Sequence, residues 1–133
     1  MSNKQFIVKN FKKIFNEYIE FLEENTKAQK YEVAYVKNVL SMLLKFNASQ
    51  VIKVWFNYIT VPYHETIMSG NFDFFTDKNY KNDLKDLTDY DLNYILTTLE
   101  KTKEEAKELD DDKKNKILSF NQQLIKLSVL YFK

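Results

Sequence analysis

The chain of 133 residues has no arginine and no cysteine, and only one glycine, one proline and one histidine. Without arginine it lacks the planar fork that grips phosphate or carboxylate bidentately. Without cysteine it has no disulfide framework, no thiolate nucleophile and no thiolate metal site, and its redox compartment stays undecided. A single glycine excludes a Gly-rich phosphate loop. No stretch approaches the ~20 apolar residues of a membrane span. The opening Met1-Ser2-Asn3-Lys4-Gln5 leads towards lysines rather than into the apolar run of a signal peptide. These absences read as a soluble intracellular protein with no membrane partner and no cofactor.

What is present is aromatic and lysine-rich. Eleven Phe, nine Tyr and one Trp supply 16% of the residues, and their rings carry the largest buried area per side chain, so many should be core. Twenty lysines face nineteen acids, a net charge of +1, which gives no global field towards nucleic acid or an anionic membrane. Residues 62–92 hold seven acids and three lysines, against five acids and nine lysines in residues 1–61, so the middle of the chain is its acidic part. Lysine to the exclusion of arginine, with abundant Asn, Ile, Phe and Tyr, is what an AT-rich coding sequence produces.

Apolar spacing of three and four residues recurs from end to end, and nowhere is there the alternation and turn chemistry of a sheet. Ser2 and Gln5 form a capping box for a first helix over about 3–26, carrying Phe6, Phe11, Ile14, Phe15, Tyr18 and Leu22. A second helix over about 31–46 follows, closed by Phe46. Asn47 leaves it and Ser49 begins a third, so the chain should return antiparallel. Pro62 should stop or bend that helix at Val61, and a short helix from Tyr63 to Ser69 should end at Gly70. Residues 71–87 read as an aromatic, acidic loop. Thr88 with Asp91 caps a fifth helix, and Asp110, Asp111 and Asp112 open a last one whose two apolar stripes predict neighbours on two sides. The expectation is an all-α single domain over 1–133, a bundle of five or six helices.

Catalytic and metal signatures are thin. His64 and Glu65 are the only candidate ligand pair, and as helical neighbours they diverge. The run Asp73, Asp77, Asp83, Asp86, Asp89 and Asp91 lacks the spacing and terminal glutamate of a calcium loop and reads as solvated. Asn47-Ala48-Ser49 matches a glycosylation acceptor without other signs of secretion. Lys4, Lys9, Lys12 and Lys13 among Phe6, Phe11 and Phe15 have the form of a basic amphipathic helix for membrane or nucleic acid. Phenylalanines at helical spacing are ordinarily core, and that is the reading taken. The charged run Lys101 to Lys116 reads as a solvated helix-turn-helix corner. No catalytic, cofactor or metal residue is assigned, and an enzyme is not expected.

The most distinctive region is aromatic. Trp55, Tyr58, Tyr63, Phe72, Phe74, Phe75 and Tyr80 crowd around the one proline and the one glycine, either as rings filling the end of a bundle or as anchors for a partner. Over about residues 50–85 this order resembles small helical proteins of nucleocytoplasmic large DNA viruses. There a Trp and Tyr helix leads through a Pro-Tyr break to an acidic Phe-Phe segment and a Tyr. The resemblance implies a viral origin and a location in host cytoplasm or virion, and transfers no activity. The function expected is binding of another protein, viral or host, by a structural or assembly component or a small subunit of a larger complex. Alternatives are a host-directed helical inhibitor of cell-death or immune signalling and a nucleic-acid-associated accessory factor. Against the inhibitor, Trp55 is followed by Phe56 where the helical viral regulators it resembles have Trp-Gly.

Overall fold

A computed structural model describes residues 3–26, 30–72, 97–98 and 105–133, and among these every regular element is helical. Helix α1 spans Asn3–Asn25 and α2 spans Lys30–Trp55. A five-residue π-helical segment, Phe56–Thr60, joins α2 to α3, Val61–Met68. Helix α4 spans Asp111–Tyr131. The fifth helix expected from Thr88 and most of the loop expected over 71–87 lie outside the described residues.

α1 is the strut on which the others rest. Its stripe Ile7, Phe11, Phe15, Tyr18, Ile19 and Leu22 is buried. No acid in the first turn and no base in the last compensates its dipole, so packing rather than end charges holds it. α4 runs antiparallel to it, with the Tyr18 ring stacked on Phe120 at 5.6 Å and Lys4 above the Tyr131 ring at 4.9 Å. The expected second neighbour of α4 is present, because Thr60 and Ile67 also meet it through Ser128 and Gln122.

α2 is broken at Asn47, whose φ of −152° and ψ of 51° are not helical. Before the break the helix descends α1: Lys37 pairs with Glu20, and Leu44 and Ala48 lie beside Val8 and Lys4. At 1.5 Å per residue a straight continuation would carry Trp55 beyond the start of α1. Its ring instead packs against Phe11 at 6.3 Å and Phe15 at 5.6 Å, so the chain turns back along α1 as the Asn-Ser spacing predicts. α4 confirms the direction, since Thr60 meets Ser128 and Ile67 meets Gln122 in the same progression.

Pro62 does not stop the helix. Thr60 and Val61 keep right-handed helical dihedrals, and the proline sits in the first turn of α3. A proline has no N–H to give the carbonyl a turn earlier. The preceding turn is widened to the π register, where the Val61 N–H donates to the Phe56 carbonyl. The end at Gly70 is as expected. Gly70 has φ of +83°, its N–H donates to the Ile67 carbonyl and the Asn71 N–H donates to Thr66, the paired bonds of a Schellman motif. Asp110 caps α4 by accepting from the Lys113 N–H at 2.9 Å, with Asp111 and Asp112 in the first turn.

Two apolar side chains assigned to the first two helices are strongly exposed. Phe6 is 67% and Phe46 is 77% exposed, one at the start of α1 and the other at the Asn47 break. Trp55, only 5% exposed, is the contrasting case. Trp55→Ala is expected to lower the unfolding free energy by about 3–5 kcal/mol, and Phe46→Ala by less than about 0.5 kcal/mol, in denaturant titrations of the two variants.

Candidate functional site: a basic end of the bundle

The start of α1, the Asn47 break and the last turns of α4 converge at one end. Residues 3–16, 38–56 and 117–133, which supply it, hold four, two and two lysines and no acidic side chain. The acids of the same helices sit at the opposite end: Glu17, Glu20 and Glu24 late in α1, Glu32 early in α2, and Asp110–Asp112 at the start of α4. Among the described helices α1, α2 and α4 there is therefore a separation of lysines and acids along the bundle. Helix polarity enforces it, because α1 is basic early and acidic late while its antiparallel neighbour α4 is acidic early.

A groove of about 530 Å³ opens at this end between α1 and the first arm of α2. Val8, Leu44, Ala48 and Tyr131 make its apolar surface. Lys4, Lys9 and Lys12 stand along one side and Lys45 along the other. Round the start of α1, a second depression of about 430 Å³ shares Lys4 and Tyr131 and is bounded by Phe6, Ile7 and Leu130. Exposed Phe6 and Leu130, the latter 51% exposed, line the second hollow, while Phe46 and Phe132, the latter 41% exposed, line neither. Lys4 covers Tyr131 and Lys45 covers Phe46, at 5.4 Å from ring centre, so the ammonium groups sit on aromatic faces. The arrangement offers apolar contact and positive charge together, and suits an acidic, partly apolar surface.

Of the aromatic cluster singled out in the sequence, the side chains of Trp55, Tyr63 and Phe72 are described. Trp55 is core and offers a partner no face. Tyr63 and Phe72 are half-buried and pack against the core from outside, with Lys114 over the Phe72 ring at 5.6 Å. Tyr58 belongs to the π-helical segment. Phe74, Phe75 and Tyr80, like the aspartate run from Asp73 to Asp91, lie outside the described residues. The basic amphipathic reading of α1 divides: Phe11 and Phe15 are core while Phe6 is exposed among lysines.

Other chemistry is sparse. His64 is exposed on α3 and lines neither depression. Among the described residues no three His, Cys, Asp or Glu side chains are placed to hold a metal ion, and no helix is long and apolar enough to cross a membrane. Ser128 donates to the Ile125 carbonyl, leaving its oxygen to accept from Thr60 at 2.8 Å. Tyr18 is wholly buried, and burial pushes its phenol far above the ordinary value of 10.0, with Asn121 nearby offsetting part of the rise. Neither the Tyr18 hydroxyl nor Asn121 Oδ1 completes a hydrogen bond of good geometry. No family model, curated protein or solved structure matches the chain.

Tyr18 gives a pH signature. Because its folded-state pKa is raised, its stabilising contribution is complete below the unfolded value near 10 and is lost as pH climbs from there towards the folded value. Tyr18→Phe is expected to change stability at neutral pH by less than about 1 kcal/mol, since the hydroxyl lacks a well-formed bond. Above pH 10 the wild type should lose stability faster than the variant in parallel denaturant titrations.

Proposed function

We propose that the protein is a non-enzymatic interaction protein whose basic, apolar bundle end docks onto another protein. Carrying this reading is the lysine-rimmed apolar groove with exposed Phe6 and Leu130 at the hollow next to it, since uncovered large apolar side chains beside a concave surface mark interaction surfaces. A binding role accords with side chains that offer charge and apolar area and no acid–base pair. The finer assignment is a viral structural or assembly component, or a small subunit of a larger complex, in host cytoplasm or virion. It rests on the sequence resemblance, and so does a partner of viral or host origin. A single domain of five or six helices is the architecture proposed for residues 1–133.

The lysine cluster also favours a second reading, a nucleic-acid accessory factor, because phosphates are neutralised by acid-free groups of lysines. The exposed phenylalanines and the apolar groove favour protein over nucleic acid.

Affinity capture from the native source separates the two when wild type is compared with a Lys9→Glu, Lys45→Glu, Phe46→Ala variant. The expected outcome is a protein partner that survives nuclease treatment and is lost with the variant. Capture that disappears with nuclease, together with co-elution on duplex DNA that weakens steeply with salt, would replace the protein reading with the nucleic-acid one.

A further inference from the structure

We infer that the groove between α1 and the first arm of α2 accepts the apolar face of an acidic amphipathic helix from the partner. The inference rests on the interaction reading above and specifies what the surface recognises. The groove has a direction: from Lys4 and Ala48 to Lys12 and Ser41 it follows α1 for eight residues, about 12 Å or two helical turns. Its apolar positions, Val8, Leu44 and Ala48, form a narrow strip between lysines on both sides. A helix docked along the strip would place side chains at i, i+4 and i+7 on it and the flanking positions opposite the ammonium groups. Glutamates at those flanking positions would pair with Lys9 and Lys12 on one side and Lys45 on the other.

Charge complementarity selects the acidic class of helix. No acidic side chain lies in the three stretches that build this end, so a basic helix would meet like charge along both rims. The concavity selects a rod over a plane, because a flat bilayer would leave the recessed strip of Val8, Leu44 and Ala48 unfilled. Duplex nucleic acid would use the lysines and leave Val8 and Leu44 without apolar contact.

The test uses a synthetic peptide of about 18 residues, long enough for five turns, with leucines on one face and glutamates flanking them. A scrambled peptide of equal composition, phosphatidylserine vesicles and duplex DNA complete the set. Titration of the isotopically labelled protein should shift the amide signals of Val8, Lys9, Leu44 and Ala48, with the scrambled peptide at least about tenfold weaker. Lys9→Glu with Lys45→Glu should abolish binding of the acidic peptide and gain binding of its lysine counterpart, a swap that a merely unfolded variant would not show. Equal affinity for the scrambled peptide, shifts confined to other surfaces, vesicle or DNA binding in place of peptide binding, or no binding at all would each overturn the helix-accepting groove. If that happens while the captured protein is still lost with the charge-reversed variant, the docking end stands and only its ligand class falls.

Discussion

The aromatic stripe of α1 is the contact on which the rest of the molecule depends. Phe11 and Phe15 hold Trp55, Phe15 touches Tyr18, and Tyr18 stacks on Phe120, so a single row of rings binds the returning arm of α2 and α4 to the same helix. Edge-to-face and offset contacts of this kind add about 0.5–1.5 kcal/mol each to the area they bury. Trp55 can reach its place only if the chain reverses at Asn47. Once it does, the position of the π-helical segment and α3 against α4 follows, and so does the meeting of the start of α1, the Asn47 break and the end of α4.

That convergence separates lysines from acids among the described helices α1, α2 and α4. Lys4, Lys9, Lys12, Lys45 and Lys133, which line the two hollows without an acid among them, repel one another, and a surface selected for stability alone would mix the signs. Exposed Phe6 and Phe46 add an apolar cost of the same kind. Both costs fall at one end, beside the two hollows, and both are relieved by a single remedy, an acidic surface with apolar side chains of its own. The opposite end, rich in carboxylates and paired across Lys37 and Glu20, has no comparable set of projecting phenylalanines among the described residues.

Much of the fold was legible because local rules and packing agree. Spacing located α1 nearly to the residue, Asn47 announced the reversal, Gly70 the end of α3 and Asp110 the start of α4. Pro62 was expected to stop or bend the helix at Val61; the helix does not stop, because a widened turn absorbs the missing N–H and leaves Val61 helical. The basic end was hidden by the way charge was summed: pooling residues 1–61 mixed Glu17–Glu32 with the acid-free segments around them. The segments that form it are separated by tens of residues, and only the antiparallel pairing of α1 with α4 and the return of α2 bring them together. Phe6 and Phe46 fit helical stripes in the sequence, yet they fall at a helix start and beside a break, where no neighbour remains to cover them. Trp55 drew attention as an anchor because it is the one tryptophan near the proline, and its burial follows from a contact with α1 that no local pattern reveals.

The reversal at Asn47 is the claim that everything else inherits, and a distance measures it. With no native cysteine to compete, spin labels can be placed at Ala34→Cys and Lys53→Cys, both exposed positions. A straight helix would hold these backbone positions about 28 Å apart. The returning chain predicts a pulsed-dipolar distance far shorter than that, and a distribution centred near the straight-helix value would contradict it.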